Sequence, residues 1–404
     1  MHATDGFRFD YRPGTIRVGT GCVDELGAEL GSRGLDRALL VAGRTVGTTP
    51  AVVDPIRAGV GDRLVGEFPE TTPDKTLGTA LAGLRAARAH DADAVVTVGG
   101  GSTLDTAKVL CALSTHGDAA AQVAEEAVET GHLSVADDAD PLPMLAVPTT
   151  LAGADLSDLA GITLTLDREV TGNRTPPSGG VRDPRLMPTA LFYDADRYRT
   201  TPTPVLAASA MNGFDKGVEM LYSPLSTPIT DGTAARGLRL LRSGLGTLLD
   251  DPMDGDRLAD VLAGVVAVQY GLAGTEGYRA SIIHAFGHGF SHGSGVHQGT
   301  IHGIVAPHVL RYVFDRVDGR RDLLASALGV AGADADPAEA TIDAVAGVRD
   351  DLELPARLRD LNGVERADLP SIARAIRADD LLGVAPDGID PSIDGIESVL
   401  DNAW

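Results

Sequence analysis

Residues 94–108 read Ala94-Val95-Val96-Thr97-Val98-Gly99-Gly100-Gly101-Ser102-Thr103-Leu104-Asp105-Thr106-Ala107-Lys108. An apolar, β-branched run leads straight into a glycine triplet, two hydroxyl residues and an amphipathic stretch. That order predicts a strand, a tight turn and a helix. Glycines let a backbone approach a phosphate, and a helix N-terminus offers free N–H groups and partial positive charge. Ser102 or Thr103 is placed both to cap the helix and to donate to a phosphate. Lys108 adds a full charge one turn further in. The Gly-Lys-Ser/Thr ending of a P-loop is missing, and so is the Gly-x-Gly-x-x-Gly spacing of the common dinucleotide fingerprint.

The same alternation extends on both sides of this stretch. Strand patterns at 15–18, 38–41, 63–68, 94–98 and 143–147 alternate with helical patterns at 23–31, 50–57, 77–89 and 103–114. Such alternation implies a mostly parallel sheet with helices on both faces, binding its ligand beyond the carboxyl ends of the strands. Residues 162–166 and 190–193 read as strands around a polar, Pro/Gly-rich loop at 167–188, a hairpin-like extension. Strand signals then fade. Segments 207–222, 233–249, 257–272, 280–291, 302–316, 321–331, 341–351 and 369–378 fit helices, and the acidic 379–404 stretch reads as loop and short helix. The expected fold is an α/β domain over residues 1–202 followed by an all-helical domain over 203–404.

With 404 residues, 43% of them hydrophobic, the chain is long enough for two cores. No apolar run reaches the roughly 18 residues that a membrane span needs. The N-terminal Met1-His2-Ala3-Thr4-Asp5-Gly6 carries neither a basic nor an apolar signal region, so a cytoplasmic protein is expected. Two cysteines, Cys22 and Cys111, exclude a disulfide framework and a cysteine-built zinc site. Acidic residues number 57 against 34 basic, for a net charge of −23, and this surface repels nucleic acid. Only Lys75, Lys108 and Lys216 are lysines; every other basic residue is arginine. An acidic, lysine-poor, folded chain points to a salt-rich cytoplasm, where short screening lengths tolerate dense negative charge.

Six of the ten histidines fall between residues 284 and 308: His284, His288, His292, His297, His302 and His308. The first three share one face of a predicted helix. Two imidazoles a turn apart can meet one metal, or one can bind it while the next relays protons. Glycines at 287, 289, 293, 295, 299 and 303 leave room near this backbone. Asp215 and Glu219 lie one turn apart on another helix. Carboxylates facing histidines form the mixed ligand set that suits Zn2+ or Fe2+.

These signals, in this order, resemble the iron-containing (group III) alcohol dehydrogenase family, which includes glycerol dehydrogenases and maleylacetate reductases. The resemblance covers most of the chain. It includes residues 9–26, Gly99-Gly100-Gly101-Ser102 with Asp105 and Lys108, and Val147-Pro148-Thr149-Thr150. It continues through residues 194–202 and Asp215 to the set His284, His288 and His302-Gly303. It implies the dehydroquinate synthase-like architecture, with the active site between an α/β and a helical domain. It implies Gly99, Gly100, Gly101, Ser102, Thr149 and Thr150 as dinucleotide contacts, positioned with Asp105 and Lys108. It implies Asp215, His284 and His302 as metal ligands, and His288 as proton relay. The metal would polarise the substrate oxygen while hydride passes to or from the nicotinamide. A homodimer or higher homo-oligomer is also implied.

The chain departs from the family in several places. One branch carries histidine four residues after the first ligand; here that residue is Glu219. Glu219 is an oxygen ligand in its place, or three protein ligands suffice as in glycerol dehydrogenases. His297 rivals His302. Fe2+, Zn2+ and Mn2+ all remain as metals. Family members that prefer NAD commonly carry Asp where this chain has Gly43, and Arg44 follows. Loss of a carboxylate that would repel a 2′-phosphate predicts that NADP(H) is accepted and preferred, with NAD the alternative. The substrate expected is a small alcohol, aldehyde or ketone. The rivals are a metal-free maleylacetate-reductase-like enzyme and a dehydroquinate-synthase-like lyase. The lyase would want Lys and Arg clustered at the metal, where Lys216 is the only lysine nearby. Glycerol-1-phosphate dehydrogenase meets a milder form of that objection, and a non-enzymatic binding protein would have lost the metal set.

Overall fold

Three strands of nearly unbroken burial form the centre of the sheet: β2 (Ala38–Gly43), β4 (Ala94–Gly99) and β5 (Met144–Pro148). Continuous apolar runs of this kind mark strands covered on both faces. With β1 (Thr15–Val18), β3 (Leu64–Thr71) and β8 (Ala190–Tyr193) they make one six-stranded sheet in the order β1-β8-β5-β4-β2-β3. Every pairing is parallel. β1 lies at an edge, and its burial alternates accordingly. Leu40, Val96, Val98, Val147 and Phe192 pack from the sheet against Leu26, Val53 and Ile56 of the helices on one face. The chain runs from β2 outward to β3, then returns to β4 on the other side of β2. The carboxyl ends of β2 and β4 therefore flank the topological switch point, where open α/β sheets bind ligands.

The computed structural model describes residues 9, 14–170, 176–250, 253–273, 280–290, 296–332, 334 and 336–404. It divides into two compact units, one spanning Pro13–Thr201 and the other containing Pro202–Trp404.

The expected hairpin is built differently. β6 (Leu159–Thr163) pairs antiparallel with β7 (Ser178–Arg182), while residues 190–193 join the main sheet as β8. β7 reads Ser178-Gly179-Gly180-Val181-Arg182 and carries little β-branched signal. The helix Ala120–Thr130 was also silent in the sequence, because its buried positions are all alanine.

The second unit is all-helical among its described residues. Its hub is the helix Thr203–Tyr222, buried at every position from Leu206 to Tyr222. Pro228–Leu245 follows, opened by a capping box between Thr227 and Thr230 and by proline in its first turn. Gly255–Ala273, Ile282–Gly289, Gln298–Phe314, Arg321–Ala327, Pro337–Asp351, Leu369–Arg377 and Ile393–Asn402 complete the set. No described helix is long and apolar enough to cross a membrane.

Candidate dinucleotide and metal sites

In the α/β unit, Gly43 ends β2, Gly99 ends β4, and Thr149 follows β5. Gly99 has φ 150°, and a Cβ there would stand 2.9 Å from Thr103 Oγ1. The turn therefore needs glycine. The helix Gly101–Ser114 begins one residue before Ser102, with Gly100 at the N-cap and no side chain capping it. The expected Ser102 or Thr103 cap is thus not formed. Both residues lie inside the first turn, and the Thr103 hydroxyl instead pairs with Thr71 Oγ1 at 2.9 Å. First-turn amides have no partner within a helix, which suits an anion. Thr149 N donates to Gly99 O at 3.0 Å. A Cβ on Gly100 would lie 3.1 Å from the Thr150 methyl, and one on Gly43 3.3 Å from Thr103 Oγ1. The structure thus brings Gly43, the glycine triplet, Ser102, Thr149 and Thr150 together at the switch point.

Asp105 and Lys108 behave otherwise. Asp105 pairs with Lys75 Nζ at 2.7 Å, a partner that the sequence did not suggest. Lys108 is 0% exposed. Its ammonium donates to Ala154 O at 2.6 Å and to Leu159 O at 3.3 Å. Burial pushes this amine down, against the pull of Asp105, Asp155 and Asp158. In place of the expected charge toward a cofactor, Lys108 ties down the 154–159 segment. Its stem starts on the buried face of its helix, so the head reaches main-chain carbonyls. Arg44 opens the short helix Arg44–Gly47 and forms an ion pair with Glu169.

In the helical unit, Asp215 and Glu219 lie on Thr203–Tyr222, His284 and His288 on Ile282–Gly289, and His302 on Gln298–Phe314. A Cβ on Gly299 would meet Ala208 O at 1.8 Å, so only glycine lets the third helix rest on the first. This contact sets His302 Nδ1 3.4 Å from Asp215 Oδ2. The rings of His284 and His302 lie 4.3 Å apart at 59°. Asp215 and His302 are both 0% exposed.

Neither Asp215 oxygen and neither His302 ring nitrogen has a hydrogen-bond partner among the described residues. Burial, with Glu219 nearby, pushes the Asp215 carboxyl well up. Burial holds His284 well below the usual imidazole range, assisted by Lys216 and His288. It holds His302 down as well, assisted by His284. A buried carboxylate without partners is costly, and neutral imidazoles are what a metal requires. These residues therefore fit a divalent cation. No three such side chains among the described residues already converge on one point. His302 can turn toward one without breaking a hydrogen bond.

Glu219 is placed differently from Asp215. Its Oε1 accepts from Ile283 N at 2.7 Å and Tyr222 Oη at 3.1 Å; its Oε2 accepts from Ser281 N at 2.9 Å and lies 2.6 Å from His284 Nδ1. His297 is exposed at the N-cap of its helix, away from the burial that encloses His302. His292 lies outside the described residues. His288 is 45% exposed, and its Nδ1 meets Asp379 Oδ2 at 2.7 Å. Asp379, in the C-terminal stretch, carried no sequence signal.

An α/β nucleotide-type unit followed by an all-helical unit defines the dehydroquinate synthase-like class. Within it, this chain belongs to the iron-containing alcohol dehydrogenase family, whose profile matches residues 13–195 and whose C-terminal profile matches residues 206–404. Maleylacetate reductase 1 of Rhodococcus opacus is 27% identical, covering 98% of this chain and 96% of its own. Lactaldehyde reductase of Escherichia coli K12 is 26% identical over 96% and 98%. The fold matches the crystal structure of sulfoacetaldehyde reductase from Bifidobacterium kashiwanohense in complex with NAD+, with TM-score 0.84 and 20% identity over 98% of this chain and 99% of that one.

Proposed function

We propose that this protein is a metal-dependent, NAD(P)-linked alcohol dehydrogenase that interconverts a small alcohol with its aldehyde or ketone. The observation that carries this reading is the buried carboxylate of Asp215 beside the imidazole of His302, neither with a hydrogen-bond partner among the described residues. Asp215, His284 and His302 would hold a divalent cation, Fe2+, Zn2+ or Mn2+. Gly43, Gly99, Gly100, Gly101, Ser102, Thr149 and Thr150 would cradle the dinucleotide. When bound, the cation supplies Lewis acidity at the substrate oxygen and the nicotinamide accepts or donates the hydride.

The chain's own residues handle binding and the proton. The first-turn amides after Gly100 would receive the pyrophosphate. Asp379 accepts from His288 Nδ1–H, which leaves His288 Nε2 to take the hydroxyl proton in oxidation and to return it in reduction. Arg44 would receive a 2′-phosphate in exchange for Glu169, favouring NADP(H).

A metal-free maleylacetate-reductase-like activity is the second reading. The maleylacetate reductases among the relatives favour it, and the Asp215–His302 pair opposes it. The test is metal analysis of protein purified without added metal, paired with NADPH and NADH oxidation against a carbonyl panel at high salt. One metal per chain with NADPH-driven reduction is expected. Activity on maleylacetate that is indifferent to added Fe2+, Zn2+ or Mn2+ would replace the first reading with the second.

A further inference from the structure

We propose that Glu219 is a positioning residue: its carboxylate fixes His284 as the Nδ1–H tautomer and so reserves His284 Nε2 for the metal, while Glu219 itself stays out of the ligand set. The inference rests on the metal-site reading above and deepens it.

The argument begins with acceptor capacity. A carboxylate offers about four lone-pair directions. Glu219 faces four donors within 3.1 Å, namely the amides of Ser281 and Ile283, the Tyr222 hydroxyl and the His284 ring, and the His284 amide adds a fifth contact at 3.4 Å. No lone pair is left for a cation. Asp215, one turn earlier on the same helix, is the opposite case, with neither oxygen hydrogen-bonded among the described residues. Two carboxylates that look equivalent in the sequence are therefore sorted by their surroundings.

The tautomer follows from the shortest of these bonds. Both Glu219 oxygens take main-chain amides, and Tyr222 Oη donates to one of them, the surroundings of an ionised carboxylate; such a group can only accept, so across the 2.6 Å contact with Oε2 it is His284 Nδ1 that carries the hydrogen. The neutral ring then has its lone pair on Nε2. Metal-binding histidines commonly give their other N–H to a carboxylate in this way, which fixes the ring and raises its basicity. Here the carboxylate also holds the first amides of the helix Ile282–Gly289, which has no side-chain cap of its own at Ser281. One side chain thus sets both the start of that helix and the orientation of its first histidine.

A cap alone would need only the amides, and the ring bond is what separates the two roles. The experiment starts from metal-free wild-type protein labelled with 15N-histidine. The His284 resonance is assigned from His284→Gln. A protonated Nδ1 and a bare Nε2 are expected; a ring protonated at Nε2 overturns the proposal without recourse to any variant.

Equilibrium dialysis against Zn2+ and Co2+ then compares wild type with Glu219→Gln, and with Glu219→Asp if the glutamine variant does not fold. About 10–100-fold weaker binding at unchanged stoichiometry is expected. The Co2+ absorption bands should keep the wild-type pattern. Unchanged affinity overturns the proposal, as do bands showing a lost ligand. Wild-type protein that keeps the Nδ1–H tautomer but takes up no metal would sink the metal site, leaving the orientation of His284 by Glu219 intact.

Discussion

Asp379 Oδ2 and His288 Nδ1 meet at 2.7 Å across 91 residues of sequence, so the last tenth of the chain supplies the group that orients the histidine proposed as proton relay. The pairing fixes which imidazole nitrogen is left for chemistry. His288→Gln should lower kcat by about 10²–10⁴-fold, the usual range for losing a general acid–base group. Asp379→Asn keeps an acceptor but loses the charge, and should cost about tenfold, with KM for the dinucleotide unchanged. Steady-state kinetics with both substrates varied would check this; an Asp379→Asn enzyme at full kcat would remove the dyad from the mechanism.

The same carboxylate makes a prediction about acid. Burial raises the Asp379 carboxyl, but the hydrogen bonds from His288 and from Leu381 N outweigh it and hold the group below the ordinary aspartate range. A carboxylate that ionises more readily in the folded chain adds stability above its unfolded pKa and loses it as pH falls through the folded one. Melting temperature should therefore drop with acid in that window, and drop less steeply for Asp379→Asn. Parallel curves for the two proteins would contradict the assignment.

Arg44 and Glu169 form an ion pair with both side chains about half exposed. Arg44→Ala should reduce kcat/KM for NADPH about tenfold or more, the scale of a hydrogen bond to a charged group, and leave NADH nearly unchanged. Glu169→Gln removes the competitor for the guanidinium and should move the preference further toward NADPH. Equal losses with both cofactors would make Arg44 a general surface charge.

Gly99→Ala tests the turn. With φ at 150° and Thr103 Oγ1 2.9 Å from the added carbon, the substitution should destabilise the protein by about 1 kcal/mol or more. It should also weaken dinucleotide binding, read by fluorescence titration with NADPH. Wild-type affinity in this variant would detach the glycine turn from the cofactor.

The strand–glycine–helix turn was legible because period, composition and punctuation agreed within fifteen residues. The histidine cluster was legible as a cluster, but only packing separates exposed His297 from buried His302. Lys108 shows the limit: a lysine one turn into a phosphate-type helix looks like a ligand contact until its burial is known. Lys75, Glu169 and Asp379 left no local trace, since each acts on a partner at least 30 residues away. In so acidic a chain, one more aspartate or glutamate carries almost no information until the fold selects it.

Lys108 is not the only sheltered amine. Lys216 is 8% exposed, and the Lys75 side chain, 33% exposed, is tied to Asp105. Reagents that acylate lysine therefore find little on the described residues besides Lys75. Crosslinking, biotinylation or immobilisation through lysine would report on that single neighbourhood beside the glycine helix, and an even coating of the surface has to go through carboxylates or guanidinium groups.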